Sequence, residues 1–532
     1  MGIAVVLAFA SALAVAGPAQ ATEWGNVQGY FYTPVSGVDQ VVTDAWEIRI
    51  YSTHSSYAVP VGQYGGGQFA VQVPAGDYKM SFKQIHVPED AYLTWSGDTP
   101  DESAAEIIHV DPNAIVNYDV HAPAAGSISG TVNFIGGATN GAYVSAYRLS
   151  PSGTRFTVYR EQSADADGSY SLAGLAAGSY LVRFTGQQDG LPASVEYWNA
   201  SNYILDSQLK AVAAGDAVSN IDGTIGPGGV YIGRIGGADR FAVSVNLSSG
   251  FAPNVPAAFV VNGLNFPDAL SAGAAAAHLG GPVLLTSPTS LPASVASELT
   301  RLSPQHIYIV GGPNSVSADV ATQLEAFAPA GQVTRISGAD RYEASRNVAS
   351  QLFSAAGVVY LANGANFPDA LAAGPAASGE AAPVVLVNGS QQSIDEATAT
   401  LFQSLGTKKI IIAGGPASVS QGLEDSLATI PGVQEVYRRT GSDRYGAAES
   451  INNAGFDLAD TMFLSTGVKF PDALSAGPVA GSLLAPIALV HPDCIPSAVL
   501  DEMLSLHVRD VWILGGEATL NSDVENLVVC SS

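Results

Sequence analysis

Two patterns of apolar and polar positions divide the chain near residue 230. Beyond it, short uninterrupted apolar runs alternate with stretches of helical period. Val358-Val359-Tyr360-Leu361, Pro383-Val384-Val385-Leu386-Val387 and Ile410-Ile411-Ile412-Ala413 are such runs, as strands buried on both faces require. Between them the spacing predicts three helices. One covers Arg341 to Phe353. A second, of small residues, covers Pro368 to Ser378 with Pro in its first turn. The third covers Ser393 to Leu405, opened by a capping box of Ser393 and Glu396. Strands of this kind separated by helices predict a parallel sheet covered on both sides. Before residue 230 the pattern alternates instead, as in Ser127-Ile128-Ser129-Gly130-Thr131-Val132 and Tyr180-Leu181-Val182-Arg183-Phe184. Half-buried strands between frequent turns predict two consecutive β-sandwiches.

Repeats organise both halves. Phe266-Pro267-Asp268-Ala269-Leu270 recurs as Phe367-Pro368-Asp369-Ala370-Leu371 and Phe470-Pro471-Asp472-Ala473-Leu474. Asp239-Arg240 recurs in step as Asp340-Arg341 and Asp443-Arg444. Gly311-Gly312-Pro313 recurs as Gly414-Gly415-Pro416 and Gly515-Gly516-Glu517. In the first half, Ala75-Gly76-Asp77-Tyr78 matches Ala177-Gly178-Ser179-Tyr180, Trp95 matches Trp198, and Asn117-Tyr118-Asp119 matches Asn220-Ile221-Asp222. The expected map is a leader at 1–21, sandwiches at 22–123 and 124–226, and α/β repeats at 230–333, 334–436 and 437–532. Pro227-Gly228-Gly229 is the expected linker.

Composition narrows the function. The chain has 532 residues, with 21 Lys and Arg against 47 Asp and Glu, a net charge of −26. Nucleic-acid binding is excluded as an expectation, because it needs phosphate neutralisation. The apolar run Ile3 to Ala16, followed by Ala19 and Ala21 at A-x-A spacing, reads as a secretory signal, although no Lys or Arg precedes it. No later segment has the length of a membrane span, and Val528-Val529-Cys530-Ser531-Ser532 is not a sorting tail. An exported chain with no membrane contact is therefore expected. Cys494 and Cys530 are the two cysteines; a disulfide is favoured over two free thiols, and a four-thiolate zinc site is excluded.

Arg335-Ile336-Ser337-Gly338-Ala339-Asp340-Arg341-Tyr342, with Asn363-Gly364, Phe367-Pro368-Asp369-Ala370-Leu371 and Ile411-Ile412-Ala413-Gly414-Gly415, resembles the cell wall binding repeat 2 family. The resemblance covers 230–532 in three copies. It implies three Rossmann-like α/β modules in a pseudo-threefold arrangement, anchored non-covalently to an anionic polymer of Gram-positive walls, teichoic-acid-like or a secondary wall polysaccharide. The third copy departs from the pattern at Thr466 and Glu517, and carries both cysteines. Asp167-Gly168-Ser169-Tyr170-Ser171-Leu172 and Leu175-Ala176-Ala177-Gly178-Ser179-Tyr180 are similar to carboxypeptidase-regulatory-like or Cna B-type sandwiches. Some such domains carry a Lys–Asn crosslink that needs Lys in an early strand; the second unit has only Lys210, in a late position, and the first only Lys79 and Lys83, so no crosslink is expected.

The candidate polymer-binding residues are Arg240, Arg341 and Arg444, with Asp239, Asp340 and Asp443 before them and Asp268, Asp369 and Asp472 in the Phe-Pro-Asp turns. A guanidinium fork suits phosphate or carboxylate. Arg234, Arg335 and Arg439 offer a second cation per module. The alternatives are structural: Arg tying the modules together, Asp capping a helix or answering its dipole, and Gly-Gly forming a tight turn rather than a phosphate cradle. Asp165-Ala166-Asp167-Gly168 imitates a calcium loop but lacks its glutamate, so a hairpin turn is expected. The eight His residues form no catalytic or metal motif, and Trp95 and Trp198 are expected in the cores. No cofactor, metal or enzyme activity is expected. The expected protein is wall-anchored, with the sandwiches as stalk or adhesive domains meeting a host or environmental glycan or protein. The rivals are a wall-associated amidase or peptidase, and a glycan-binding adhesin.

Overall fold

The computed structural model describes residues 24–35, 38–41, 45–53, 58–64, 68–85, 93–98, 105–121, 124–134, 142–149, 156–188, 191–192, 195–199, 201, 203–225, 230–469 and 472–530. The signal-like run, the Pro227–Gly229 linker and Phe470-Pro471 lie outside them. The chain is multidomain, with a strand-rich N-terminal region and three C-terminal repeats of alternating strand and helix.

Each N-terminal unit packs two sheets over an apolar core. In the first, the long strand Trp24–Val35 pairs with Gln68–Pro74, Val38–Val41 and, in parallel, Ile115–Asn117 and Val120–His121. The second unit repeats the plan around Gly126–Phe134. The recurring motifs now have reasons. Tyr78 Oη donates to the Pro74 carbonyl and Tyr180 Oη to that of Ala176, at 2.7 and 2.6 Å, which pins the same corner in both. Asp119 accepts from the Tyr30 N–H and Asp222 from the Thr131 N–H, which ties the last strands to the first. Asp165-Ala166-Asp167-Gly168 is a hairpin turn, with Gly168 N–H bonded to the Asp165 carbonyl.

In the α/β part, apolar strands form three four-stranded parallel sheets. Val283–Thr286, Ala258–Asn262 and Ile307–Val310 are joined by Val333–Ile336, the opening strand of the next repeat. Val384–Val387, Val358–Asn363 and Lys409–Ala413 are joined by Glu435–Arg439 of the third. Ile487–Val490, Thr461–Thr466 and Asp510–Leu514 are joined by Tyr231–Ile235, which opens the first. Each sheet thus borrows a strand from another repeat, and the last loan runs back to the start. The helices Pro267–His278, Pro368–Ser378 and Ala476–Ser482 pack on one another in the middle. They are built almost wholly of Ala, Gly, Ser and Pro there, and a Cβ on Gly481 would collide with Ser378.

One helix start differs from expectation. The third helix of the middle repeat is Glu396–Leu405, and Asp395 rather than Ser393 caps it. Asp395 Oδ1 accepts from the Thr398 N–H at 2.9 Å and Oδ2 from the Thr398 hydroxyl at 2.7 Å, two bonds that the Ser393–Glu396 box would not supply.

Both sandwiches rest on the α/β body. Tyr197 Oη and the Ile204 N–H both donate to the buried Asp460 carboxylate, at 2.6 and 2.8 Å. Leu458 joins a cluster of Tyr147, Leu181, Val195, Tyr197 and Ile204. The first sandwich contributes Lys79, buried against Glu435 at 2.6 Å. Arg509 donates to the Val195 carbonyl at 3.3 Å, and Glu435, Asp460 and Arg509 all stand at or just before the amino ends of their strands, so the sandwiches occupy that side of the sheets.

Cys494 and Cys530 are joined, with Cα atoms 4.9 Å apart, beside the bridge between Ile495 and Val529. The bond closes the chain end after the last helix. Unreduced digests should yield the two peptides linked in mass spectrometry, and Cys494→Ser with Cys530→Ser should lower stability by up to about 4 kcal/mol, the loop-entropy limit, read from chemical denaturation.

Candidate functional site

In the α/β part, the recurring motifs lie at the carboxyl ends of the strands. Asp239, Asp340 and Asp443 are exposed N-caps of the helices that follow them. Asp340 Oδ1 accepts from the Tyr342 and Glu343 N–H groups at 2.9 and 2.8 Å; Asp443 does the same for Tyr445 and Gly446. These carboxylates are held by backbone donors, as capping requires.

The adjacent arginines reach across. Arg240 donates to the Gly263 carbonyl, Arg341 to that of Gly364 and Arg444 to that of Gly467, at 2.7, 2.7 and 2.6 Å. Each bond uses one terminal nitrogen of the fork. Arg341 also lies over the Phe266 ring of the preceding repeat, 5.8 Å from its centre.

Asp268, Asp369 and Asp472 behave differently from the capping aspartates. Asp268 and Asp369 sit in the first turn of their helices, whereas Asp472 lies in the turn before a helix that starts only at Ala476; all three turn the carboxylate toward the glycine loop. Asp268 accepts from Ser315 Oγ at 2.6 Å and Asp369 from Ser418 Oγ at 2.8 Å; Thr519 is bonded likewise to Asp472. Burial pushes all three carboxyls above the usual range, while the hydroxyl bond and one guanidinium pull them down, joined at Asp472 by the Lys469 ammonium. That guanidinium belongs to another repeat: Arg341 for Asp268, Arg444 for Asp369 and Arg240 for Asp472. Each junction between repeats therefore joins one carboxylate, one hydroxyl, one guanidinium and a glycine loop, and the one at Asp472 adds Lys469.

The glycine is forced. Gly311, Gly414 and Gly515 have φ of 119°, 110° and 94°, and a Cβ on any of them would run into the aspartate Oδ2 beside it. Their carbonyls accept from a second set of arginines: Arg335 to Gly311, Arg438 to Gly414 and Arg234 to Gly515, at 2.7, 2.9 and 2.9 Å. The third member of this set is Arg438, not Arg439. Strand alternation sends the two side chains to opposite faces, and Arg439 lies over Tyr437 instead. This set staples the borrowed strand to the loop of its host sheet, with Glu424 on Arg438 and Glu525 on Arg234.

Ser315, Ser418 and Thr519 lie outside the expected set of site residues. Their signal was present, because each stands four residues after its first loop glycine. The departure at Thr466 is conservative in effect. Its hydroxyl accepts the Val468 N–H, as Asn262 and Asn363 accept those of Leu264 and Ala365.

Three α/β repeats, each presenting the same polar junction on one side of its sheet, define a binding body built by repetition. The chain belongs to the family of cell wall binding domain 2 (CWB2), whose model matches residues 234–321, 335–424 and 438–525. It is a cell wall surface protein, and no helix among the described residues is long and apolar enough to cross a membrane. Over 293 residues it is 25% identical to N-acetylmuramoyl-L-alanine amidase LytC of Bacillus subtilis (strain 168), covering 55% of this chain and 57% of that one. It is 29% identical to the amidase enhancer of the same organism, over 55% of this chain and 39% of that protein. The chain thus spans about half the length of these relatives, and the shared part is the binding region. Cwp6 and Cwp8 from Clostridium difficile have a similar fold. Their TM-scores are 0.52 and 0.51 at 19% and 18% identity, covering 76% and 86% of this chain and 68% and 78% of theirs.

Two outcomes follow from the junction. Gly414→Ala should destabilise the protein by about 1–3 kcal/mol through a strained φ and the displaced Asp369, read as a lower midpoint in thermal or chemical unfolding. The raised carboxyl pKa makes the folded state hold its proton longer, so each aspartate's contribution falls as pH rises from about 4. Asp369→Asn keeps an acceptor for Ser418 and removes the buried charge. Its melting temperature at pH 7 should match or exceed that of the parent, with the difference shrinking toward pH 4.

Proposed function

We propose that the three repeats hold this exported protein on the wall without a covalent bond, by binding an anionic polymer, teichoic-acid-like or a secondary wall polysaccharide. One observation carries the reading: the aspartate of each repeat lies beside the arginine of the next, and the third returns to the first. Arg240, Arg341 and Arg444 each spend one nitrogen on a carbonyl, and among the described residues no side-chain carboxylate bonds the rest of the fork. Such a fork can take a phosphate or carboxylate of the polymer. The neighbouring aspartate then sets register by excluding an anion from its own side. The sandwiches sit at the amino ends of the strands, which leaves the junction side open to a long chain.

In this reading the modules are Rossmann-like and related by a pseudo-threefold axis along the three small-residue helices, which the cyclic strand pairing supports. The proposed division remains sandwiches at 22–123 and 124–226 and repeats at 230–333, 334–436 and 437–532. The protein acts as a binder rather than an enzyme, with the sandwiches as stalk or adhesive domains. LytC and the amidase enhancer share this chain's repeat region, so the amidase activity in LytC's name is not carried over to this chain.

Three equivalent sites on one repeating polymer would add through effective concentration. Arg240→Gln, Arg341→Gln and Arg444→Gln combined should weaken sedimentation of the full chain with purified walls at least tenfold, and any single change much less. Binding should also fall as salt rises. A parallel melting curve separates the roles: a triple variant that melts normally and binds fully removes these residues from the site.

A further inference from the structure

The outward face of the first sandwich combines exposed aromatic rings with side-chain amides. Along Trp24–Val35, alternate residues point out, and Trp24, Gln28 and Tyr30 among them are exposed, with Trp24 and Tyr30 at 47% and 40%. Val27 and Phe31, with the opposite parity, are buried in the core. The register places Gln72 beside Asn26 and Asn117 beside Gln28. Gln28 Nε2 donates to Asn117 Oδ1 at 2.9 Å, which turns the remaining acceptor of Gln28 and the remaining donor of Asn117 toward solvent. Tyr32 is braced by stacking on His121, with centroids 4.9 Å apart, and Tyr30 lies 6.3 Å from Tyr32.

We infer that this face is a second binding site, for an uncharged glycan, independent of the wall-polymer junctions. Trp24 and Tyr30 are six residues apart on an extended strand, about 20 Å, with an amide pair between them. A pyranose has an apolar face of C–H groups and a rim of hydroxyls. The rings meet the first, as amphipathic aromatic surfaces do, and the donor–acceptor pair meets adjacent hydroxyls of the second. Among the described outward residues of Trp24–Val35, Gln68–Pro74 and Ile115–Asn117 there is no Lys, Arg, Asp or Glu, on a chain of net charge −26; the register puts Asp39 opposite Pro34, at the end of the strand away from Trp24. Asp119 at its edge is held on the Tyr30 N–H. The missing cations disfavour an anionic polymer here. A protein partner would press a closed apolar centre into place, whereas these rings are parted by amides.

The test is native affinity electrophoresis of the full chain in gels containing soluble neutral polysaccharides (a β-glucan, a xyloglucan and a galactomannan), with alginate as the anionic comparison. At least one neutral gel should retard the protein, with little change as salt rises to about 0.5 M, since no ion pair is involved. Trp24→Ala with Tyr30→Ala should weaken that retardation at least tenfold, and Gln28→Ala should weaken it less. The double variant should keep its melting temperature and its sedimentation with walls, because neither residue touches the Asp–Arg junctions. The triple Arg→Gln variant should keep glycan retardation, so the two proposals fail separately. Absence of retardation in all neutral gels, equal retardation of the double variant, or retardation by alginate alone overturns the inference. So does a self-association lost in the double variant without any neutral retardation.

Discussion

Strand lending between repeats is the constraint on which the α/β body depends. A four-stranded parallel sheet needs a fourth strand, and no repeat supplies its own. Val333–Ile336, Glu435–Arg439 and Tyr231–Ile235 each complete a neighbour's sheet. The arginines Arg335, Arg438 and Arg234 lie on those lent strands and bond the glycine loops of the host. The helix that follows each lent strand then begins at the host's carboxyl edge, which brings Asp340-Arg341 and its counterparts to the junction. The polar sites exist because the sheets are shared.

This arrangement also explains why so much is repeated so strictly. The three inner helices approach closely, so their faces are kept to Ala, Gly and Ser. The loop glycine cannot carry a side chain because an aspartate occupies the space. That aspartate is half-buried and held above its usual pKa in each of the three repeats.

Much of this is legible in the residues. The uninterrupted apolar runs mark the buried parallel strands, and the Phe-Pro-Asp turns fix the start of the first two inner helices at Pro267 and Pro368, while the third begins later, at Ala476. Which strand joins which sheet is not legible, because periodicity reports burial and not partners. The same limit hides the pairing of Asp268 with Arg341 across repeats. Arg438 and Arg439 are indistinguishable until strand alternation assigns each to a face, and so Arg439 stands in the expected set where Arg438 belongs. Ser393 has the spacing of a capping box; Asp395, two residues later, offers two bonds to Thr398. The outward rings of the first sandwich carry no signal of their own, since alternation shows which residues leave the core but not what they meet.

The return of Tyr231–Ile235 to Asp510–Leu514 has a kinetic side. The two strands are separated by nearly the whole α/β region, so their pairing is among the most non-local contacts in the chain. Loop-closure entropy must be overcome before that contact gives anything back, and such topologies fold slowly. A ribosome makes Tyr231–Ile235 first and its partner last. Until the third repeat is finished, the earliest strand of the body has an unsatisfied edge, and Asp510–Leu514 has an open place beside it. A second copy of the chain could fill that place as well as the first strand does, so the natural misfolded product of this architecture is a strand-swapped dimer.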